Sequence, residues 1–323
     1  MTPHQPFKRV LVTGVAGFIG SNLSRMLLEQ GFEVVGVDNL SAGTLENVPK
    51  GVELHKADIR YPLALAPAFR GVDAVFHLAA KNCLIDCLQN PEETMSTNVV
   101  GTVNVLETCR QQGIERVIYA DTSAEYEGVE TFPSREDVVC PIGTYAVAKR
   151  SGALLCDSYA RLHGLKVTTL RYFNVYGPAQ DFRRVVPPVM SGFAMKMLAG
   201  EQPIIYGTGE KRRDFIYVDD VNRFHLLCLT DDRTIGGTFN VGSGINYSVN
   251  DIYERLAVLL GVAAEPLRKP DLPGEAEITL ADTSAAAALG WKPLVGIDEG
   301  LRHTVDYLRA RLGLAGEPVA ARA

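Results

Sequence analysis

The sequence predicts an α/β protein, a doubly wound parallel sheet followed by a smaller mixed α/β C-terminal lobe. Three observations predict it. Over residues 7–169, short apolar runs alternate with helix-period segments. A glycine turn in "VLVTGVAGFIGSNL" joins the first run to the first helical segment. After "NVYGP" the texture shifts toward Pro, Gly and Met over 178–212.

The elements follow in order. "RVLVTG" reads as the first strand, and "GSNLSRMLLEQG" as a helix that its last glycine stops. "EVVGVD", "VELHKAD" and "DAVFHLA" are the second to fourth strands, each bounded by glycine, aspartate or a polar turn. The helix "VVGTVNVLETCRQQG" precedes "RVIYAD", and a helix containing "YAVAK" precedes "KVTTLR". This βαβ rhythm argues for a parallel sheet. "FIYVDDVNRFHLLCL" returns to strand then helix, and from about Asn240 the chain reads as helical with proline-rich connections. The expected division is a sheet domain over 1–177, with a chain return near 214–240, and a second lobe over 178–323. The Ala-rich end "GLAGEPVAARA" reads as a frayed tail.

The 323 residues with 46% hydrophobic content suffice for one large domain or two sharing a core. A formal charge of −6 with dispersed basic residues carries no footprint for nucleic acid or an anionic membrane. No signal-peptide core opens the chain and no run of about 20 apolar residues suggests a membrane span. Six scattered cysteines fit reduced thiols in the cytoplasm. The "CLIDC" pair lacks a His/Cys partner set and reads as two small hydrophobes, so no metal is expected.

Gly14, Gly17 and Gly20 give G-x-x-G-x-x-G directly after a strand and opening a helix. Glycines there permit the tight turn and a close approach of backbone to a pyrophosphate at the helix N-terminus. The second strand ends in Asp38, eighteen residues past Gly20, where a carboxylate would bind adenosine ribose hydroxyls. A carboxylate there would repel a 2′-phosphate, so NAD is favoured over NADP. Asp58 and "HLAA" (77–80) end the third and fourth strands, at the edge where such sheets bind ligands. Asp58 is expected to accept from the adenine amine. His77, with an apolar flank, is expected to be packed and hydrogen-bonded rather than catalytic.

In "GTYAVAK" Tyr145 precedes Lys149 by four residues, so the two share one helix face. A cation beside a phenol favours the phenolate and makes tyrosine a usable base near neutral pH. Y-x-x-x-K is common by chance, and its meaning depends on context.

"TGVAGFIG", "VDNLS", "HLAA", Ser123, "YAVAK", "LRYFNVYGP" and "RRDFIYVDDV" occur in this order. The set resembles the extended short-chain dehydrogenase/reductases, and most closely their nucleotide-sugar branch typified by UDP-glucose 4-epimerase. The resemblance runs from about residue 8 to 308. It implies a Rossmann-type NAD domain whose cofactor contacts fall on Gly14, Gly17, Phe18, Ile19, Gly20, Asp38, Asn39, Asp58, Ile59, Leu78, Ala79, Ala80, Tyr145, Lys149 and Tyr172. By the same resemblance Tyr145 is the base at the sugar O4, Lys149 lowers its pKa and holds the nicotinamide ribose, and Ser123 orients O4. Asn174 and Arg213 are implied contacts to the nucleotide-sugar phosphates, and a guanidinium suits a phosphate by two parallel hydrogen bonds. The implied reaction is 4-epimerisation, with transient C4 oxidation and return of the hydride to the opposite face. A homodimer is implied through the "TVNVLETCRQQ" helix and the one bearing Tyr145, with Leu154, Leu155 and Tyr159 either in that interface or in the core.

The chain departs from the pattern in two places. Where relatives read S-S-x-x-V-Y-G, it has "DTSAEYEG", so Tyr126 and Glu127 replace Val-Tyr, or Tyr126 is the family tyrosine displaced by one residue. Glu125 falls where 4,6-dehydratases and UDP-glucuronate decarboxylases carry a glutamate. Ala124 stands at the dehydratase aspartate, which disfavours that reaction. Decarboxylation stays open, and Glu125 is either a solvated loop carboxylate or an accessory site group. In "PDLPGEAEITLAD", Leu272 stands where relatives carry an arginine, and Arg268 is the candidate substitute. Thr279 occupies the position that limits room at the sugar C2, and its small size suggests that an N-acetylated hexose fits. Three readings stand: a 4-epimerase; a one-way nucleotide-sugar decarboxylase, dehydratase or reductase; and a non-catalytic NAD-sensing protein. A polysaccharide-precursor role is implied by association.

Overall fold

The computed structural model describes residues 7–181, 187–262, 265–271 and 276–314. The first half runs β1 (Arg9–Thr13), α1 (Phe18–Glu29), β2 (Glu33–Asp38), β3 (Glu53–Lys56), α2 (Pro62–Leu65), β4 (Ala74–His77), α3 (Leu84–Gln89) and α4 (Pro91–Met95). A π-helical turn over Ser96–Val100 leads into α5 (Gly101–Gln112), then β5 (Arg116–Thr122), α6 (Thr144–His163) and β6 (Lys166–Tyr172). The rest runs β7 (Asn174–Tyr176), α7 (Val189–Leu198), β8 (Ile204–Tyr206), β9 (Arg212–Tyr217), α8 (Val218–Thr230), β10 (Thr238–Val241), β11 (Asn246–Ser248), α9 (Val249–Leu260), β12 (Leu267–Lys269), α10 (Ser284–Ala288) and α11 (Ile297–Arg311).

Seven parallel strands form the main sheet in the order β10-β6-β5-β4-β1-β2-β3. The order reverses between β1 and β4, and the crevice beyond their carboxyl ends is where a doubly wound sheet binds ligands. Alternation along each strand builds two cores. Val10, Val12, Phe76, Ile118 and Leu170 face α1 and α8, whereas Leu11, Val75, Val117, Tyr119 and Val167 face α5 and α6. Five of the six strands proposed for this sheet are covered on both faces and read as near-continuous apolar runs, whereas β3, exposed at the sheet edge, is visible only from the turn residues that bound it.

The seventh strand is not. The stretch expected to be helical from Asn240 begins inside β10, and β11 and β12 follow it. "TFNV" is four residues long and lies between glycine turns, too short to carry a period. Beyond β6 the chain forms a three-stranded sheet, β11-β9-β7, and a two-stranded one, β12-β8. A third core of Met190, Phe193, Phe215, Leu256 and Leu301 ties α7, α9 and α11 to them.

Candidate active site

The glycine turn is shaped by backbone contact. Gly14 has φ +74°, and a Cβ there would lie 2.9 Å from the Ala79 nitrogen. A Cβ on Gly20 would lie 2.1 Å from the Gly14 carbonyl oxygen. Gly17 differs: its Cβ would meet only that same oxygen, at 3.2 Å, so the start of α1 is open on that side. Ser21 N–H closes the first helical bond onto the Gly17 carbonyl at 3.0 Å, and the donors ahead of it have no helical partner. An open turn with forward-pointing N–H groups and no acidic side chain in the first turn of α1 suits a pyrophosphate, so these residues fit a dinucleotide.

The carboxyl ends of β1 to β4 complete the cradle. Asp38, buried, accepts from Ala16 N–H at 2.9 Å and Leu40 N–H at 2.7 Å. It thereby ties β2 to the glycine turn while each oxygen keeps a lone pair for a hydroxyl donor. Asn39 donates to Asp58 at 2.9 Å. Arg60 grips both oxygens of Asp58, at 2.7 and 3.0 Å, and holds its carboxyl down to about 2. The carboxylate expected to meet adenine is therefore also the partner of Arg60. Ile59 turns its side chain into the core against Gly101, leaving its backbone at the strand end. Thr13 Oγ1 accepts from the N–H groups of Leu78 and Ala79, both at 3.1 Å, and sets the segment that continues to Ala80. His77 is packed as expected, its ring nitrogens 2.8 Å from Thr13 Oγ1 and 3.1 Å from Thr102 Oγ1. Burial lowers it to about 3, so it stays neutral. Tyr172 places its hydroxyl 2.6 Å from His225 Nε2 inside the α8-facing core, which leaves its backbone for a cofactor contact.

Tyr145 and Lys149 lie in the first two turns of α6. Gly143 caps the helix in an extended conformation, and its N–H and that of Ile142 donate to Glu127 at 2.7 and 3.3 Å. Lys149 is buried with its ammonium 4.1 Å from the centroid of the Tyr119 ring. Tyr119 OH donates to the Lys149 carbonyl at 3.1 Å, and a Cβ on Gly152 would lie 2.1 Å from that hydroxyl. Burial pulls the ammonium down to about 8, with Asp121 acting in the opposite direction. A cation with reduced proton affinity, one helical turn from a phenol, is the electrostatic setting of a tyrosine base.

Ser123 opens a 3₁₀ turn over Ser123–Tyr126, capped by Thr122, whose hydroxyl accepts from Ala124 N–H at 3.2 Å. Cys140 N–H donates to the Glu125 carbonyl at 2.8 Å and Gly128 N–H to the Cys140 carbonyl at 2.9 Å. These bonds stitch the Ser123 turn to the segment entering α6. Glu125 is not a solvated loop carboxylate: its side chain is fully buried, 2.8 Å from Arg171 Nη2 and 3.7 Å from Arg150 Nη1. The turn doubles back onto β5 and β6, so a residue that reads as loop lies under the site. Tyr126 is buried too, stacked on Phe173 and donating to Asn240 Oδ1 at 2.7 Å.

Three of the expected substrate residues, distant in sequence, lie close in the fold: Asn174 on β7, Arg213 on β9, and Thr279 next to the isolated bridge between Ile278 and Arg212. β7 pairs with β9, and Thr279 N–H donates to the Arg212 carbonyl at 3.0 Å. Asn174 Nδ2 donates to Thr279 Oγ1 and to the Asp214 carbonyl, both at 3.1 Å. Thr279 also accepts from Asp214 N–H at 3.0 Å. Arg213 donates to the Arg212 carbonyl at 3.1 Å. Arg268 donates to the Thr208 carbonyl at 2.7 Å, and Leu272 lies outside the described residues.

Thr13, Asn98, Asp121 and Arg171 escaped the sequence reading. Asn98, in the π turn, accepts from Lys81 N–H at 2.8 Å and donates to its carbonyl at 2.9 Å, pinning the loop after β4. The only sequence signals were a polar residue ending each of two apolar strands and an arginine inside a third. Among the described residues no cluster of three or more His, Cys, Asp or Glu side chains is arranged to hold a metal. No helix among them is long and apolar enough to cross a membrane.

Comparison with known proteins adds to this geometry. Residues 10–242 match the model of the NAD dependent epimerase/dehydratase family. A putative UDP-glucose 4-epimerase of Methanocaldococcus jannaschii is 34% identical, over 93% of this chain and 98% of its own. UDP-glucuronic acid decarboxylase 1 of Xenopus tropicalis is 31% identical, over 94% and 73%. The crystal structure of UDP-glucose 4-epimerase with UDP-glucose from Thermotoga maritima superposes with a TM-score of 0.91 at 37% identity, covering 94% of this chain and 99% of that one.

Proposed function

Because the chain belongs to the NAD-dependent epimerase/dehydratase family, we propose that it is a nucleotide-sugar 4-epimerase acting on UDP-hexoses, with room at Thr279 for an N-acetylated one. The observation that carries this reading is the buried Lys149 one turn beyond Tyr145, beside the turn that holds Ser123. In the proposed division of labour, residues 1–177, with the return near 214–240, hold NAD, and residues 178–323 hold the nucleotide sugar. Gly14, Gly17, Gly20, Asp38 and Asn39 would hold the cofactor. Bound NAD supplies the acceptor and donor of hydride at the sugar C4.

The protein's own residues do the rest. Tyr145 takes the proton from the O4 hydroxyl as C4 is oxidised and returns it afterwards. Lys149 stabilises the phenolate, and Ser123 fixes O4 by a hydrogen bond. Arg213 anchors the phosphates so that C4 is held in place, Asn174 joins it by exchanging one of its amide bonds to Thr279 or the Asp214 carbonyl for a phosphate oxygen, and general-base help of ~10²–10⁴-fold adds to that orientation. Decarboxylation is the second reading, since Glu125 matches the glutamate position of the decarboxylases. The full burial of Glu125 against Arg171 disfavours it, because a carboxyl so placed is not presented to a sugar.

The test is proton NMR of the purified protein, without added cofactor, on UDP-glucose, UDP-N-acetylglucosamine and UDP-glucuronate separately. Conversion to the matching galacto isomer is expected for UDP-glucose and UDP-N-acetylglucosamine. Carbon dioxide release from UDP-glucuronate would transfer the proposal to the decarboxylase reading. No conversion of any of them, even with NAD added, would overturn both.

A further inference from the structure

Beneath Ser123, Tyr145 and Lys149 lies a buried charge cluster that the proposed reaction does not use. Asp121, at the end of β5, and Glu125 both have fully buried side chains. Arg171 of β6, itself buried, reaches between them: Nη2 is 2.8 Å from Glu125 and Nε 3.3 Å from Asp121. The same guanidinium donates to Tyr126 OH at 3.0 Å and the Glu136 carbonyl at 2.8 Å. Even so, Asp121 Oδ1 and both Glu125 oxygens have no aligned donor. Two ionised carboxylates against one guanidinium, out of water, leave a negative charge for the Lys149 ammonium to balance, although burial itself disfavours that ammonium, and they leave three acceptors unmet. A proton on Glu125 Oε1, donated to Asp121 Oδ1, removes the excess charge and meets two of the three oxygens, while Oε2 keeps the Arg171 guanidinium at 2.8 Å.

We propose that Asp121 and Glu125 share one proton in a carboxyl pair clamped by Arg171, and that the charge of this pair sets the proton affinity of Lys149. The proposal rests on the reading of Tyr145 and Lys149 as the reacting pair, and makes Asp121 and Glu125 positioning residues that act through Lys149. Burial and the neighbouring Asp121 push Glu125 up to about 8, which agrees. Asp121 stands two residues along β5 from Tyr119, on the same strand face, and the Lys149 ammonium lies 4.1 Å from the Tyr119 ring centroid; both carboxyls thus act on Lys149, Asp121 more strongly. Among the described residues the other groups facing the pair are Arg150 and Cys156 of α6, Tyr119 of β5, Tyr172 of β6 and Tyr126. The Glu136 carboxylate is spent on Asn240 N–H. Of these only Arg150 is a further cation, and it is one-third exposed. As pH rises, the pair releases its proton, gains a second negative charge and so holds the proton on Lys149 to higher pH.

The experiment follows the Lys149 Cε resonance in ¹³C-lysine-labelled, NAD-loaded protein with no sugar present, assigned with Lys149→Met. Glu125→Gln keeps the shape of the side chain but cannot gain the second charge. It is expected to lower the Lys149 midpoint by about one pH unit, the size of shift that a nearby opposite charge produces. Asp121→Asn should move it the same way, and Glu125→Asp should stay nearer the wild type. The alkaline limb of epimerisation should move with the midpoint. If no sugar is turned over, the resonance still decides, so failure of this inference and failure of the epimerase reading are distinguishable. An unchanged midpoint in both neutral variants would overturn it. If neither variant folds, the wild type alone decides by infrared: a protonated-carboxyl band near neutral pH that disappears on alkalinisation supports the shared proton, and its absence refutes it.

Discussion

Lys149 owes its chemistry to its surroundings. A lysine in water titrates well above neutrality, and here burial brings it to about 8 while Asp121 resists the shift. In the proposed reaction Tyr145→Phe would remove the proton acceptor at O4, and it is expected to cut 4-epimerisation by ~10²–10⁴-fold. Bound NAD, read by absorbance of the denatured protein, should be retained. Glu125 leads to a stability prediction. Its folded pKa, about 8, lies above its ordinary 4.5, so the folded state binds the proton more tightly. The stability this contributes is complete below about 4.5 and is lost as pH rises toward about 8. Urea unfolding should show the wild type losing more stability between pH 5 and 8 than Glu125→Gln does; equal losses would contradict the raised pKa. The Thr279 hydroxyl holds Asn174 and the Asp214 N–H, and in the proposed site its small side chain would also leave space at the sugar. Thr279→Val keeps the size and drops the acceptor, so KM for the nucleotide sugar should rise while the preference between UDP-glucose and UDP-N-acetylglucosamine persists.

The elements are positioned by close contacts that specific glycines permit. α6 sits on β5 through Gly152, whose missing side chain makes room for Tyr119 OH, and that hydroxyl holds the Lys149 carbonyl. The start of α1 approaches the β1 turn in the same way through Gly20. Gly20→Ala should destabilise the protein by on the order of 2–3 kcal/mol, the upper range for a strained single substitution, and lower NAD content. Equilibrium denaturation and cofactor absorbance check the two effects. The glycine pattern around residues 14–20 was legible because it is periodic and follows a strand. The role of Gly152 was not, because a glycine within a helix does not say which ring it faces.

For the whole molecule, the two cores that flank the main sheet bring together strand ends distant in sequence, and the third joins the C-terminal helices to the small sheets. On the face formed by α5 and α6, Leu155 and Tyr159 pack against the core, whereas Leu154 and Leu162 are 52% and 74% exposed. We propose this face as the homodimer contact. Leu154→Glu combined with Leu162→Glu should shift light scattering from dimer toward monomer mass, and a dimer that survives both substitutions would place the interface elsewhere.

The sequence by itself determined the class of sheet, the dinucleotide turn with its acidic partner, and the order of the motifs, because apolar period and glycine spacing are local properties of a chain. Tertiary structure decided what lies beneath Ser123, Tyr145 and Lys149. In the sequence Glu125 reads as either a solvated loop carboxylate or an accessory site group, and Tyr126 as a substitute for, or a displaced copy of, the family tyrosine, but the turn carrying them is stitched to Cys140 and folds under α6. There Glu125 meets Asp121 and Arg171, which come from two other strands. Burial and charge pairing depend on which segments meet in space, so the proton affinities of Lys149 and Glu125 were not legible from residue order.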